Sequence, residues 1–214
     1  MSGCCARHGQ EELFGDRFAR RAAKRYRQKG PDAMARSLAR RASVRGIEGA
    51  TVLEIGGGIG QVLLQLLARG AREGEVVELV PSYEKEAAAL AAEAGLGASA
   101  SFRTADLVAD PGTGRPADVV VLNKVVCCTP DGVALAGIAA GLARRTLVLS
   151  FPRADRLGRI AFGAFNLGLR LRRGRFCVFV HSADELRGAI EAHGLALAST
   201  RDGPLFRILA FERA

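Results

Sequence analysis

One stretch constrains this chain more than any other: Thr51-Val52-Leu53-Glu54-Ile55-Gly56-Gly57-Gly58-Ile59-Gly60-Gln61-Val62-Leu63-Leu64. Val52, Leu53 and Ile55 make a short apolar run of strand type, and Gly56 to Gly60 make a glycine turn. Leu63, Leu64, Leu66 and Leu67 then recur at helical spacing until Gly70 stops the helix. A strand, a glycine turn and a helix in that order bring backbone close to a nucleotide at the carboxyl end of a parallel strand. Spacing narrows the choice of ligand. A dinucleotide fingerprint requires Gly-x-Gly-x-x-Gly. Here Gly56-x-Gly58 is followed by Ile59, Gly60 and Gln61, so the third glycine arrives one position early and a nicotinamide-dependent dehydrogenase is disfavoured. The pattern present is Glu-x-Gly-x-Gly-x-Gly, on Glu54, Gly56, Gly58 and Gly60.

Downstream, apolar runs alternate with helical periodicities, the signature of a parallel sheet wrapped by helices. Strands are expected over 75–80, 98–104, 118–122 and 146–151, and a hairpin over 196–200 and 206–211 turns at Asp202-Gly203-Pro204. The run 118–122 is the most hydrophobic and reads as buried on both faces. Helices are expected over 61–69, 83–94 and 131–142, and from the capping box Ser182-Ala183-Asp184-Glu185 to His193. Upstream of the glycine turn, residues 11–29 read as one amphipathic helix with Phe14, Phe18, Ala22 and Tyr26 on a single face. A second helix over 32–45 turns Met34, Leu38 and Ala42 inward.

Charge is unevenly placed. The chain of 214 residues carries a net charge of +9. Residues 1–46 hold 12 Lys/Arg against 4 Asp/Glu, residues 153–175 hold 7 Arg against 1 Asp, and the remainder is net acidic. Two basic segments thus flank an acidic nucleotide-binding core, which suggests an anionic partner such as a carboxylate or phosphate substrate, an acidic lipid surface, or RNA. Between the fifth and sixth strands, Leu157, Ile160, Phe162, Phe165, Leu167 and Leu169 sit among those seven arginines. This mixture suits an apolar, anionic acceptor, or a helix resting on an acidic membrane. The longest apolar window is too short to span a bilayer and the first residues carry no secretory signal pattern, so a cytoplasmic location is expected. Cys4, Cys5 and His8 match no common zinc spacing, and no metal is expected.

The glycine motif together with the acids downstream resembles the first motifs of class I S-adenosylmethionine-dependent methyltransferases, over about residues 46–212. The resemblance implies a Rossmann-like three-layer α/β/α fold, with a seven-stranded, mostly parallel sheet carrying one antiparallel strand. It implies S-adenosylmethionine as cofactor. Glu54, Gly56, Gly57, Gly58 and Gly60 would lie against its amino-acid end and ribose. Glu78, with Leu79 after it, falls where the family places the acid that accepts the ribose hydroxyls; an alternative register puts Val80 in that slot. Asp106 and Leu107 fall where the adenine amino group and ring are met, and a turn or helix-capping aspartate is the other reading of Asp106. Residues 123–130 resemble the fourth motif, beside the transferred methyl group. Asn123 would line the methionine end or hold a water, and Cys127 and Cys128 face the acceptor or are small core residues.

The family's N-terminal helices often cover the pocket, so residues 1–46 are expected as a basic helical lid, placing Tyr26 on the substrate side. The domain proper is expected over 47–214, with 154–175 as an acceptor-side insertion that brings Phe162 and Phe165 to the substrate. His181 is a candidate base or hydrogen-bond donor, or an anchor for the helix it precedes. The helices and the insertion resemble the magnesium-protoporphyrin and ubiquinone-biosynthesis O-methyltransferase branch. The Asn-Pro-Pro-Tyr signature of nucleobase and protein-glutamine methylation is absent after the fourth strand.

The reading is therefore a methyltransferase acting on a small, apolar and anionic acceptor, with oxygen the favoured atom. Two alternatives stand beside it: an RNA methyltransferase using the basic helices, and a non-catalytic cofactor-binding scaffold. Nucleic acid is disfavoured by the absence of an RNA module and by only 6% aromatic residues for stacking. No obligate protein partner is evident, and peripheral contact with an acidic membrane is an expectation of the charge.

Overall fold

The computed structural model describes residues 8–213; Cys4 and Cys5 lie outside them. Seven strands form one sheet: β1 Thr51–Ile55, β2 Glu73–Glu78, β3 Ala100–Thr104, β4 Ala117–Asn123, β5 Ala143–Pro152, β6 Leu195–Asp202 and β7 Phe206–Arg213. Their spatial order is β3-β2-β1-β4-β5-β7-β6. Neighbours from β3 to β5 are parallel, while β7 runs antiparallel to β5 and β6. This is the expected Rossmann-like three-layer architecture. Strand order reverses between β1 and β4, and ligands of such sheets bind in the crevice beyond the carboxyl ends at that switch.

Alternation along the strands assigns the layers. Leu53, Ile55, Val120, Leu122, Leu147 and Leu149 face α6 (Gly132–Leu142) and α8 (Ala183–Glu191). Val52, Val76, Val119, Val121 and Val148 face α3 (Ala33–Ala42) and α4 (Gln61–Leu67), through Leu38, Ala39, Leu63 and Leu66. On this second side α2 (Asp16–Lys29) and α5 (Glu84–Glu93) join through Ala19, Ala23, Leu90 and Ala91, with Leu64 and Tyr83. Val119 to Leu122 are fully buried, as a continuous apolar run in a central parallel strand requires.

The N-terminal region differs from expectation. Residues 11–29 are two helices, α1 (His8–Phe14) and α2, broken at Gly15, whose backbone is extended (φ −66°, ψ −170°). A side chain at Gly15 would meet the Glu11 carbonyl at 2.8 Å. The buried stripe of α2 lies one residue later than the aromatic pattern implies: Ala19 and Ala23 are fully buried, whereas Phe18 is 44% exposed and stacks edge-on to Phe14 at 5.3 Å. Alanines allow α2 to approach α5 and α4 more closely than aromatic rings would. α3 packs directly on the sheet, so it belongs to the core and not to a detachable cover.

The basic insertion forms α7 (Arg156–Leu171), capped by the Asp155 carboxylate, which accepts from the Gly158 N–H at 2.9 Å. Phe162 is buried and meets Phe206 edge-on at 5.5 Å. Residues 176–180 take no regular secondary structure and do not join the sheet. Among the described residues no helix is long and apolar enough to cross a membrane.

Candidate active site

The glycine turn is built by backbone shape and close packing. Gly56, Gly58 and Gly60 have φ of +63°, +57° and +73°, the left-handed region that side chains avoid. Gly57 lacks room for another reason: a Cβ there would lie 2.7 Å from the Cδ and Cγ of Glu54. Glu54 lies wholly buried under the turn, where its Oε2 accepts the Leu63 N–H at 2.8 Å. It thus satisfies an orphan donor in the first turn of α4. Its Oε1 finds no partner among the described residues. Burial pushes the Glu54 carboxyl up to about 8, against the lowering effect of the Leu63 and Val62 N–H groups, and the charge of Glu78 adds to the rise. The expectation that Glu54 lines the ligand site is corrected: it braces the turn from beneath, because Glu54 and Val52 share the α4 side of β1.

Glu78, at the carboxyl end of β2, ties the turn to the sheet. Its Oε2 accepts the Gly58 N–H at 2.9 Å, and its Oε1 accepts from Leu79 at 2.8 Å and Val80 at 3.2 Å. Burial raises its pKa, opposed by these three donors. The structure thereby favours Glu78 over Val80 as the acid at this strand end, since Val80 is a buried core residue. Asp106 follows β3 and its Oδ1 accepts the Val108 and Ala109 N–H groups, both at 3.0 Å, so the turn-aspartate reading holds for one oxygen.

A shallow cleft, open to solvent and enclosing about 80 Å³, lies at the carboxyl ends of β1, β2 and β4. Gly56, Glu78, Leu79, Asp106, Leu107 and Cys128 line it. Val125 and Thr129, from the segment 123–130, also line it, as do Asp131, Leu135 and Gln10, which carry no motif. Gln10, on α1, reaches across to donate from its Nε2 to the Cys128 carbonyl at 2.6 Å. Gly57, Gly58 and Gly60 shape the turn behind the cleft wall without lining it.

The loop after β4 also corrects several expectations. Asn123 does not line the cleft; its Oδ1 accepts from the Ser150 hydroxyl at 3.2 Å across to β5. Lys124 is left-handed (φ 58°), an uncommon conformation for a residue with a side chain. Its Nζ lies 3.5 Å from Asp32 Oδ2, over the Phe206 ring, so it links α3 to the sheet's end. Both thiols donate to the Lys124 carbonyl, Cys127 at 3.2 Å and Cys128 at 3.4 Å. Cys127 is a core residue, whereas Cys128 borders the cleft with its thiol pushed well above its ordinary value by the adjacent Cys127 sulfur and by burial.

His181 does not line the cleft. Its Nε2 faces the carbonyls of Val126 at 2.9 Å and Thr129 at 3.1 Å, so it carries the proton and clamps the loop. It ties the chain ahead of α8 to the loop after β4. Tyr26 packs half-buried on the α2–α5 cluster, away from the cleft lining; burial raises its pKa, and Glu54 adds to the rise. Phe162 is occupied with Phe206, and Phe165 is exposed on α7. Neither lines the cleft. Among the described residues no group of three or more His, Cys, Asp or Glu gathers as a metal would require.

The methyltransferase-domain family profile matches residues 23–200. No curated protein shows a sequence match to the chain. Solved structures share the fold. Magnesium protoporphyrin IX methyltransferase from Synechocystis PCC 6803, with bound S-adenosylhomocysteine, is 21% identical at a TM-score of 0.69, with 97% of this chain and 94% of that one covered. An O-methyltransferase family protein from Burkholderia thailandensis is 23% identical at 0.72, with 96% and 63% covered. An O-methyltransferase family 2 protein from Planctomyces limnophilus, complexed with apigenin, is 20% identical at 0.67, with 94% and 62% covered.

Proposed function

The chain belongs to the methyltransferase-domain family, and we propose that it transfers a methyl group from S-adenosylmethionine to a small, apolar, anionic acceptor, with oxygen the favoured atom. The observation that carries the cofactor assignment is the placing of Glu78. A carboxylate offers about four acceptor positions; three backbone N–H groups occupy three of them. The remaining capacity, at the wall of the cleft, fits a ribose hydroxyl. Asp106 and Leu107 border the same cleft on the β3 side, where a purine amino group and ring would be met. Gly56 leaves backbone bare at the floor.

Bound there, the cofactor supplies an electrophilic methyl group on a positively charged sulfonium. Glu78, Asp106 and Asp131 give the cleft walls an acidic character that suits a cation. The protein's remaining work is to align two reactants and exclude water. Gln10 closes the cleft from α1, and Thr129 and Cys128 face it from the β4 loop. With the His181 Nε2 committed to two carbonyls and Cys128 held as a thiol, neither is placed as a general base, and the acceptor either needs none or meets the Asp131 carboxylate at the cleft wall. The O-methyltransferases among the structural neighbours support oxygen, as does the sequence Asn123-Lys124-Val125-Val126 in place of Asn-Pro-Pro-Tyr.

Calorimetric titration of S-adenosylhomocysteine, with NAD in a parallel cell, tests the reading. Saturable binding of the first ligand alone is expected, weakened about tenfold or more in Glu78→Ala by loss of charge-assisted hydrogen bonds. Failure of folded wild-type protein to bind S-adenosylhomocysteine would refute it.

A further inference from the structure

α7 is apolar on two opposite sides. Successive residues of an α-helix turn by about 100°. The inward side carries Gly158 and Phe162, both buried, with Asn166 and Leu169 half-buried. The opposite side carries Leu157, Ile160, Leu167 and Leu171, which are 60%, 70%, 58% and 77% exposed. Ala164, also exposed, completes a stripe spaced by alternating threes and fours from Leu157 to the end of the helix. A helix facing only water would present its charges at this crown. Here Arg156, Arg159 and Arg170 lie along one edge of the stripe, and Arg172, Arg173 and Arg175 follow the helix. No Asp or Glu occurs from Arg156 to Arg175.

We propose that the exposed face of α7 is a docking surface for an anionic phospholipid bilayer, with the aliphatic stripe seated at the headgroup–acyl boundary and the arginines on lipid phosphates. Arginine suits the edge of such a helix, because its stem covers apolar surface while the guanidinium reaches the headgroups. The sign of the charge selects the occupant. A second copy pairing antiparallel through this stripe about a two-fold axis would bring two arginine edges together, with no acid on α7 between them. An anionic bilayer takes the same edges favourably.

Placement supports the assignment. The Asn166 side chain makes two hydrogen bonds with Val178, its Nδ2 donating to the carbonyl and its Oδ1 accepting from the N–H, both at 2.8 Å. The next residue, Phe179, donates its N–H to the Cys127 carbonyl at 2.8 Å. α7 therefore stands two links from the cleft wall, on the inner side of the helix, and the stripe is the side left over. The inference is independent of which acceptor the cleft takes.

The test is flotation of the full chain with phosphatidylcholine vesicles, with and without phosphatidylglycerol. Three chains are compared: wild type, Ile160→Glu/Leu167→Glu, and Arg159→Gln/Arg170→Gln. Wild type is expected to float with the phosphatidylglycerol vesicles and to be released by salt. The aliphatic variant is expected to stay in solution, and the arginine variant to bind about fivefold more weakly per charge removed. All substituted residues are exposed, so unchanged circular dichroism and unchanged S-adenosylhomocysteine affinity are expected of each variant. Absence of wild-type binding at low salt would overturn the proposal, as would equal binding by the aliphatic variant. A dimer in sedimentation that Ile160→Glu/Leu167→Glu disperses, without vesicle binding, would assign the stripe to a second copy instead.

Discussion

Glu54→Gln is predicted to stabilise the apo protein, and to do so only at neutral and alkaline pH. In the native chain the Glu54 carboxyl is pushed from 4.5 to about 8 by complete burial, so it is neutral near pH 7. Unfolded, it titrates normally. Between the two values the unfolded state releases a proton that the folded state keeps, and stability falls as pH rises through this window. The interval from 4.5 to about 8, at about 1.4 kcal/mol per pH unit, gives a ceiling of roughly 5 kcal/mol, lost by about pH 8 and not recovered above it. Glutamine is isosteric with the protonated acid: its Oε1 accepts the Leu63 N–H as Glu54 Oε2 does, and its amide takes the place of the oxygen that has no partner. The assay is urea denaturation of both chains across pH. The two chains should agree within about 1 kcal/mol near pH 5 and diverge by about 3–5 kcal/mol near pH 9, the variant being more stable. Glu78 contributes a pH dependence of the same sign, but it is present in both chains, and the difference isolates Glu54. Curves parallel from about pH 5 to about pH 9 would refute the reasoning: the carboxylate would then be ionised in the fold.

Gly57→Ala should cost about 1–3 kcal/mol by urea denaturation, since its methyl group would press on the Glu54 side chain 2.7 Å away, and Glu54→Ala in the same chain should recover part of the loss. His181→Ala should cost about 1–2 kcal/mol by freeing two loop carbonyls, and the pH profile of kcat should keep its shape, which a general-base role would not allow. Asn166→Ala should remove both bonds to Val178 and cost about 1–3 kcal/mol, with faster proteolysis after Arg172, Arg173 or Arg175 as the local readout.

What was legible in the sequence was whatever repeats with the period of its element or turns on a glycine. β4 reads as buried on both faces because Val119, Val120, Val121 and Leu122 leave no polar side. The turn reads because Gly56, Gly58 and Gly60 need left-handed backbone. Glu78 reads because a strand seldom buries an acid without partners. Less legible was anything set by packing between distant segments. The inner face of α2 follows Ala19 and Ala23, not the more hydrophobic Phe14 and Phe18, because close approach of helices rewards small residues. Gly15 carried the signal for the break between α1 and α2, inside a pattern otherwise helical. The motif that Glu54 shares with ligand-binding glycines points it to the ligand side; strand alternation puts it beneath them. Gln10 could not be found from its neighbours in sequence, since its role depends on where α1 docks. For His181, sequence position leaves base, donor and anchor open, because the docking of its ring on the carbonyls of Val126 and Thr129 is set by segments distant in sequence.

The tie from Asn166 through Val178 and Phe179 to Cys127 makes the outer helix and the cleft wall one mechanical unit. Whatever fixes the position of α7 acts on the loop that carries Cys128 and Thr129, and whatever fills the cleft acts back on α7. Such linkage is reciprocal in free energy. If seating α7 on a surface tightens cofactor binding by some factor, cofactor must tighten the hold on that surface by the same factor, so the loaded protein and the surface-bound protein would be selected together.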